Sequence, residues 1–319
     1  MRYFVTGGAG FIGSHLVDKL ISHGDVTVYD NLSSGRKEFI QHHLDKPYFS
    51  FIQADLLDLE RLTKEMVDYD VVFHLAANPD ARLGLNDTSL DLKQETLVTY
   101  NVLEAMRLNN IKKILFSSSG TIYGETPVIS LSEDYGPVLP ISLYGAGKVA
   151  SEALITAFCH TFDMQCWIYR FANIVGRRGT HGVIFDFIHK LKKNPSELEV
   201  LGDGTQEKPY LSVEDCVEGM LFGFQNSDER VNFFNLGCES TTNVSSIARM
   251  VVEEMGLKNA KFKYTGGDRG WPGDVPQVRF NTRKMQELGW KPKHSSNQAV
   301  RRAIKFMIEE MVGSEKVCR

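Results

Sequence analysis

Short apolar runs alternate with amphipathic segments of helical length over the first 175 residues. Runs that are apolar on both faces, separated in this way, are typical of a parallel sheet covered on both sides by helices. The pattern therefore predicts a Rossmann-type doubly wound α/β fold. Its strands are predicted at residues 3–5, 26–29, 49–52, 71–73, 114–116 and 166–169.

Beyond residue 175 the alternation becomes less regular. Helical periodicity near residues 183–193, 213–225, 243–255 and 297–312 is mixed with turns rich in Gly, Asp and Pro. This change predicts a smaller mixed α/β lobe, whose loops are expected to carry substrate contacts. We therefore expect a first domain over residues 1–174, a substrate-binding lobe over 175–312 and a frayed polar tail over 313–319.

Composition narrows the possible functions. Of the 319 residues, 42% are hydrophobic and 24% charged, and the net charge is −4, which is typical of a globular protein and excludes disordered and membrane-spanning classes. No block rich in Lys or Arg supports binding to nucleic acid or a membrane surface. The N-terminus lacks the apolar segment of a signal peptide, so a cytoplasmic location is expected.

The five cysteines are odd in number and widely scattered. None belongs to a Cys-x-x-Cys pair or has a His nearby in sequence at the spacing of metal ligands. This pattern predicts reduced thiols and no metal site. The cysteines are Cys159, Cys166, Cys216, Cys238 and Cys318.

A glycine-rich turn follows the first predicted strand. Residues 6–13 read Thr-Gly-Gly-Ala-Gly-Phe-Ile-Gly and open a helix, and Asp30 ends the next strand. Glycines at this point let the backbone approach a pyrophosphate at the helix N-terminus, and the Asp carboxylate accepts ribose hydroxyl protons and repels a 2′-phosphate. NAD is therefore the predicted cofactor, in preference to NADP, and residues 1–174 are expected to form its binding domain. The predicted contacts in the turn are Gly7, Gly10, Phe11, Ile12 and Gly13.

Further candidates follow the next strands, at the edge where parallel sheets bind ligands. Asp55 is placed to meet the adenine amino group, and the small residues after the fourth strand let the backbone approach the cofactor. Each feature alone is more often ordinary chemistry of a strand end. The candidates are Asn31, Asp55, Leu56, Leu75, Ala76, Ala77 and Ser117.

Tyr144 is the only tyrosine with a lysine four residues later, Lys148, and a spacing of four puts both side chains on one helix face. An ammonium acting with the positive nicotinamide ring can stabilise a phenolate, and lowering the phenol pKa by roughly 3 units needs about 4 kcal/mol. Such a pair, taken alone, is most simply a helix surface pair. Hydroxyls of residues 116–124, at the end of a predicted strand, could hold a substrate oxygen beside the phenol, although a polar transition from strand to turn is the simpler interpretation.

These motifs together resemble the extended short-chain dehydrogenase/reductase family of nucleotide-sugar enzymes, most of all its UDP-glucose 4-epimerase branch. The resemblance covers nearly the whole chain. It is carried by residues 6–13, Asp30-Asn31-Leu32, His74-Leu75-Ala76-Ala77, Ser117-Ser118-Ser119 with Tyr123-Gly124, Tyr144 to Lys148, Arg170 to Asn173, residues 202–206 and Gly273-Asp274-Val275.

The resemblance implies a redox-neutral cycle with retained NAD. Tyr144 would take the proton of the sugar 4-hydroxyl with help from Ser119 as hydride leaves C4, and hydride would return to the other face of the 4-keto sugar. Lys148 would lower the phenol pKa and bind the nicotinamide ribose. The cofactor-binding set thus includes Tyr144 and Lys148.

In related proteins the second lobe holds UDP, so the resemblance also implies a substrate set. Asn173 would meet the phosphates, Val183 and Ile184 would lie along the nucleotide, Val200 and Leu201 would pack the uracil, and Lys208, Arg269 and Asp274 would hold pyrophosphate and ribose. Val278 falls where epimerases that exclude N-acetylated sugars tend to have Tyr. Its smaller side chain implies that UDP-GlcNAc and UDP-GalNAc are accepted beside UDP-glucose and UDP-galactose.

Several positions depart from the family pattern. Gly120-Thr121 stands where the dehydratases have Asp-Glu, so dehydration lacks its acid and base. Trp271 stands where many relatives have a phosphate-binding Arg, and Arg269 could replace it. Gln94-Glu95-Thr96 replaces the usual Asn-Asn-Val near the cofactor, and nothing in the sequence accounts for that change.

In relatives, the helices corresponding to residues 88–108 and 143–161 form a homodimeric four-helix bundle, which implies a homodimer. Two other functions stay open. One is a nucleotide-sugar reductase or dehydrogenase with exchangeable cofactor, which would change the absorbance of reduced nicotinamide during turnover. The other is a non-catalytic NAD-binding regulator, against which the intact Tyr144 and Lys148 pair argues.

Overall fold

The structure is a computed structural model that describes residues 1–127 and 130–317. All six predicted strands of the first half are confirmed. In chain order, the strands of this half are β1 (Arg2–Thr6), β2 (Asp25–Asp30), β3 (Phe49–Gln53), β4 (Val71–His74), β5 (Lys113–Ser119) and β6 (Gln165–Phe171). Its helices are α1 (Phe11–Leu20), α2 (Leu59–Glu65), α3 (Val98–Leu108) and α4 (Leu143–Phe162). A π-helical turn over Leu92–Leu97 directly precedes α3.

The strands of the second half are β7 (Asn173–Val175), β8 (Glu197–Val200), β9 (Glu207–Lys208), β10 (Tyr210–Ser212), β11 (Val231–Leu236), β12 (Thr242–Asn243) and β13 (Lys261–Tyr264). The helices are α5 (Val183–Lys193), α6 (Val213–Asn226), α7 (Val244–Glu254), α8 (Arg283–Glu287) and α9 (Ser296–Val317). Four of these helices match the predicted periodic segments. The last one runs five residues beyond the predicted end at 312, so most of the expected tail is helical, whereas Cys318 and Arg319 lie outside the described residues.

The central sheet has seven strands in the order β11-β6-β5-β4-β1-β2-β3. The pairs β1–β2, β2–β3, β1–β4 and β4–β5 are parallel. Apart from the added β11, this is the doubly wound order in which ligands bind at the carboxyl ends of the strands near the switch point between β1 and β4. The predicted fold class is confirmed.

The chain divides into two compact units. Unit 1 comprises residues 1–124, 136–170 and 220–234, and unit 2 comprises 125–135, 171–219 and 235–319. This division differs from a single boundary after residue 174, because the stretch 220–234 carries most of β11 and completes the sheet of unit 1. The binding roles expected for the two parts stay predictions.

Each unit has its own apolar core. In unit 1, the strands and helices α2, α3 and α4 enclose side chains such as Phe4, Val72, Ile114 and Ile168, each without exposed surface. In unit 2, helices α5, α7 and α9 enclose Ile188, Leu198 and Val251 among others. Among the described residues, no helix has the length and apolar character needed to span a membrane.

Candidate active site

The glycine-rich turn joins β1 to α1 in the close-packed form predicted. Gly7 has a φ of 70°, which favours glycine. A Cβ at Gly7 would lie 2.6 Å from the backbone nitrogen of Ala76, and one at Gly13 would lie 2.1 Å from the carbonyl oxygen of Gly7. Helix α1 begins at Phe11, and Gly10 at its N-cap offers no side chain to the first-turn N–H groups. These donors and the bare backbone fit a pyrophosphate.

Asp30 is buried at the end of β2 beside this turn. One carboxylate oxygen accepts a hydrogen bond from the N–H of Ala9 (3.0 Å) and the other accepts one from the N–H of Leu32 (2.8 Å). Burial raises the pKa of Asp30, and these two hydrogen bonds partly counteract the rise. Each oxygen keeps a second lone pair, which suits the predicted acceptance of ribose hydroxyl protons.

Most of the other predicted cofactor residues stand at the carboxyl ends of strands in unit 1. The amide of Asn31 donates to a carboxylate oxygen of Asp55 (3.0 Å), which ties the ends of β2 and β3 together. Leu56 is buried after β3. Leu75, Ala76 and Ala77 follow β4, and Ile12 lies in the first turn of α1. Ser117 near the end of β5 donates its hydroxyl proton to the carbonyl oxygen of His74 (3.3 Å).

Ser119, Tyr144 and Lys148 lie together, as the sequence predicts. Ser119 ends β5, and its hydroxyl lies near enough to the phenol of Tyr144 to lower the pKa of that phenol. Tyr144 is the second residue of α4, whose N-terminus is capped by the Ser142 hydroxyl accepting the N–H of Gly145 (3.1 Å). One helical turn later, Nζ of Lys148 lies 5.5 Å from the centre of the Tyr144 ring.

The Lys148 ammonium is buried and held in one place. Its Nζ donates to the carbonyl oxygen of Ser117 (2.9 Å) and lies 4.9 Å from the centre of the Phe116 ring. It also forms an ion pair with Glu95, at 2.8 Å between Nζ and Oε2. Nearby His74 is fully buried, and burial and the ammonium lower its pKa to about 3, so its imidazole is neutral.

The phenol of Tyr144 is subject to opposing influences. Burial raises its pKa, the Lys148 ammonium and the Ser119 hydroxyl lower it, and the Glu95 and Asp91 carboxylates raise it. The net direction is upward. The Lys148 ammonium acts in the predicted direction, and the net lowering expected from the ammonium together with the positive nicotinamide ring stays a prediction.

Sequence reasoning missed the charged network that holds α4 against the sheet. Glu152 accepts hydrogen bonds from Arg170 on β6 and from the Ser118 hydroxyl (2.5 Å) on β5. Arg170 also donates to the phenol oxygen of Tyr123 (3.0 Å). The only sequence signal is that Glu152 follows Lys148 by one helical turn, which places it on the sheet-facing side of α4.

In unit 2, the predicted substrate residues fall into two environments. Asn173 on β7 pairs with Tyr210 on β10, and burial raises the pKa of Tyr210 to about 12. The side chains of Ile184 and Val200 are buried in the apolar core, which differs from the predicted contacts with the nucleotide. Their neighbours are more accessible: Val183 is half-buried and Leu201 is 38% exposed.

The two predicted phosphate-binding cations of unit 2 already have carboxylate partners. Lys208 is paired with Asp274, whose other oxygen accepts the N–H of Gly270 (3.1 Å). Arg269 donates to Glu125 (3.0 Å) and to Asp268 (3.3 Å). A diphosphate would therefore compete with carboxylates for both cations. Val278 is half-buried, and its N–H donates to the carbonyl oxygen of Glu207 (3.2 Å).

Four cysteines among the described residues, Cys159, Cys166, Cys216 and Cys238, are buried free thiols. The structure also brings together Asp18, His42 and His43, which sequence spacing did not suggest. Both imidazole Nε2 atoms lie within 2.8 Å of one Asp18 oxygen, and the Lys46 ammonium lies 2.9 Å from Nδ1 of His43. The ammonium donates to Nδ1, so Nε2 of His43 carries its proton and donates to Asp18. This arrangement satisfies the group as a hydrogen-bonded cluster.

Comparison with known proteins shows the family of the chain. Residues 3–237 match the NAD dependent epimerase/dehydratase family, and the chain belongs to that family. It is 34% identical over 310 residues to a putative UDP-glucose 4-epimerase of Methanocaldococcus jannaschii, covering 95% of this chain and 97% of the relative.

Two solved structures are similar over nearly the whole chain. A crystal structure of UDP-galactose 4-epimerase has a TM-score of 0.88 and 39% identity, over 98% of this chain and 100% of the other. A UDP-N-acetylglucosamine 4-epimerase from Methanobrevibacter ruminantium M1, in complex with UDP-N-acetylmuramic acid, has a TM-score of 0.87 and 28% identity, over 97% of this chain and 99% of the other. The chain is an NAD-dependent enzyme of this family, as predicted.

Proposed function

We propose that the chain is a UDP-sugar 4-epimerase that interconverts UDP-glucose and UDP-galactose. The observation that carries this proposal is the group formed by Ser119, Tyr144 and Lys148 at the sheet edge that also carries the glycine turn and Asp30. When bound, NAD supplies the hydride acceptor and donor for C4 of the sugar. The names of the related 4-epimerases support the same assignment.

The chain's own residues would move the proton. Tyr144, as phenolate, takes the proton of the sugar 4-hydroxyl as the C4–H bond breaks, which leaves a 4-keto sugar. Ser119 donates a hydrogen bond to the oxygen that reacts, and the Lys148 ammonium stabilises the phenolate. After the sugar turns over, Tyr144 returns the proton to O4 on the inverted carbon. Atoms and charges balance over the cycle.

The residues after Ser119 support epimerisation over dehydration. The next position is Gly120, and the hydroxyl of Thr121 donates to the Ser119 oxygen (3.0 Å). Neither side chain is a carboxylic acid, so this segment provides no proton carrier for eliminating a 6-hydroxyl group. We therefore favour a reaction confined to C4.

We also propose that the N-acetylated pair UDP-GlcNAc and UDP-GalNAc is accepted. Val278 is small and half-buried, and it follows by four residues the Asp274 that pairs with Lys208. A smaller side chain leaves volume for an acetamido group. The related enzyme named as a UDP-N-acetylglucosamine 4-epimerase has this fold over nearly its whole length, which is consistent with such a substrate.

The proposal includes a homodimer formed through unit 1. Large apolar side chains remain exposed along the π-helical turn, α3 and α4: Leu92 (56%), Leu97 (43%), Tyr100 (40%), Leu108 (53%) and Phe162 (36%). Burying these side chains against a second copy would remove apolar surface from water. Light scattering on a Leu97→Glu variant should give the monomer mass where the natural chain gives the dimer.

The test of the activity is incubation of the purified protein with a panel of UDP-sugars, with C4 inversion measured by NMR. We expect inversion without net change in the absorbance of reduced nicotinamide. Tyr144→Phe should lower turnover about 10²–10⁴-fold, since it removes the proton acceptor. A net absorbance change that accompanies sugar oxidation or reduction would instead support the reductase or dehydrogenase alternative, and unchanged turnover in Tyr144→Phe would refute the proposed chemistry.

A further inference from the structure

Glu95 places a buried carboxylate directly against the Lys148 ammonium. Its Oε2 atom lies 2.8 Å from Nζ, and both side chains are only 1% exposed. Its Oε1 atom accepts a hydrogen bond (3.0 Å) from the backbone N–H of Asn78, which follows β4. The hydrogen bond at Oε1 holds the carboxylate, and the contact of Oε2 with the ammonium is an ion pair without hydrogen-bond geometry.

The surrounding backbone is shaped to admit this side chain. Glu95 lies in the π-helical turn Leu92–Leu97, a type of local widening that is frequent at functional sites. Its carbonyl oxygen accepts hydrogen bonds from the hydroxyls of Thr99 (2.6 Å) and Ser151 (3.1 Å). On α4, a Cβ at Gly147 would lie 2.7 Å from Cβ of Glu95. The glycine next to Lys148 therefore leaves the space that Glu95 fills.

This contact has an electrostatic consequence for the neighbouring phenol. A buried ammonium without a countercharge is costly, and Glu95 supplies the countercharge inside unit 1. The same ammonium faces the ring of Tyr144. An ionised Glu95 offsets the positive charge that would stabilise a Tyr144 phenolate, whereas a neutral side chain at residue 95 would leave that charge uncompensated.

We propose that Glu95 is a positioning residue that holds the Lys148 ammonium and limits how strongly it stabilises the Tyr144 phenolate. The inference rests on the proposed role of Tyr144 as the proton acceptor. It gives a role to the departure from Asn-Asn-Val at residues 94–96, which the sequence alone left without an account.

Other ionisable groups also lie near Lys148 and Tyr144. Asp91 precedes Glu95 by one helical turn, is buried, and accepts a hydrogen bond from the amide of Asn78 (2.8 Å). Glu152 on α4 raises the pKa of Lys148, as Glu95 and Tyr144 do, and His74 on β4 is neutral. Burial raises the pKa of Glu95 to about 7, which the ammonium partly opposes. At alkaline pH, where a phenol ionises, Glu95 is therefore negative.

The test compares the ionisation of Tyr144 in two purified full-length proteins, the natural chain and the Glu95→Gln variant. The ultraviolet absorbance of tyrosinate is followed against pH, and the same titration of the Tyr144→Phe chain is subtracted. We expect the midpoint to fall by about one pH unit in Glu95→Gln. Glu95→Asp, which keeps the charge, should restore most of the natural midpoint. Glu104→Gln, which removes a carboxylate paired with Arg107 on α3, should leave it unchanged.

The acid limb of the pH profile of kcat should move in the same direction, with a smaller change in KM. An unchanged Tyr144 midpoint in Glu95→Gln, or an equal shift in Glu104→Gln, would overturn the proposal. If Glu95→Gln does not fold, Glu95→Asn removes the same charge, and an unchanged midpoint there has the same meaning.

The titration needs no turnover, so the two proposals fail separately. A chain that inverts no UDP-sugar but shows the midpoint shift would contradict the proposed function and support the role of Glu95. A chain that inverts UDP-sugars but shows no midpoint shift would support the proposed function and contradict the role of Glu95.

Discussion

Arg170 and Glu152 form a buried two-pronged ion pair, with Nε 3.1 Å from Oε1 and Nη2 2.9 Å from Oε2. The pair joins β6 to the helix that carries Tyr144 and Lys148, one turn after Lys148. Because Ser118 on β5 also donates to Glu152, the carboxylate links two strands of the sheet to α4. The position of the predicted catalytic residues thus depends on a charge that touches none of the reacting atoms.

Replacing this carboxylate should destabilise the fold. Glu152→Gln would leave the Arg170 guanidinium buried without a countercharge, and we expect the free energy of unfolding in urea to fall by about 3 kcal/mol. The matched control is Glu104→Gln, whose pair with Arg107 is largely at the surface, and its cost should stay below about 1 kcal/mol. Equal losses of unfolding free energy in the two variants would show that burial of the ion pair does not determine its contribution to stability.

The cofactor preference should depend on Asp30. Asp30→Asn keeps an oxygen for a backbone N–H but removes the charge that would accept ribose hydroxyl protons and repel a 2′-phosphate. Hydrogen bonds to a charged group are worth about 1.5–3 kcal/mol, so NAD affinity measured by calorimetry should fall at least about tenfold. Asp45→Asn, at an exposed position, should bind NAD normally. A variant at residue 30 that still discriminates fully against NADP would exclude this role.

Stability should respond to pH through Glu95. Its pKa is raised from 4.5 to about 7 in the folded chain, so the folded state binds the proton more tightly than the unfolded state. The resulting stability is fully present below about pH 4.5 and is lost as pH rises through about 7, by at most about 3 kcal/mol.

The measurement for this prediction is the free energy of unfolding between pH 5 and pH 8. The advantage of the natural chain over Glu95→Gln should shrink steadily across this range. Glu104→Gln should run parallel to the natural chain, because Arg107 lowers the pKa of Glu104 and its titration falls below this range. A constant difference between the natural chain and Glu95→Gln would show that Glu95 does not titrate here.

Substrate range should depend on residue 278. Val278→Tyr adds an aromatic ring at a half-buried position and is expected to abolish turnover of UDP-GlcNAc and UDP-GalNAc while UDP-glucose and UDP-galactose still react. Val278→Thr has nearly the same volume and should keep both activities. The readout is the ratio of kcat/KM for the two substrate pairs. If the natural chain leaves the N-acetylated pair unchanged under conditions where the hexoses react, the prediction is wrong.

Much of unit 1 follows from the sequence because its signals are local. The apolar runs of β1 to β6, the turn at residues 6–13 and the spacing of Tyr144 and Lys148 each lie within a few consecutive residues. Parallel topology then brings the strand ends together at one edge. Local patterns of this kind were sufficient to predict the fold and a serine-rich strand end beside Tyr144, whereas Ser119 itself was singled out by the family resemblance.

The electrostatic environment of the site could not be read in the same way. Glu95 and Lys148 are 53 residues apart, and their contact depends on a π-helical turn and on the absence of a side chain at Gly147. The departure from Asn-Asn-Val at residues 94–96 drew attention to Glu95. Its contact with Lys148 could be identified only from the structure. Likewise, alternation along α5 and β8 gave no means to separate Val183 and Leu201 from the core residues Ile184 and Val200.

The place of β11 limits how the protein can be dissected. Because this strand comes from residues 231–236 and lies beside β6, a fragment that ends at residue 174 would leave one side of β6 with unpaired N–H and C=O groups. Such a truncated product would be expected to associate with itself or precipitate. A usable cofactor-binding fragment would have to retain the returning strand, which a single cut in the gene cannot provide.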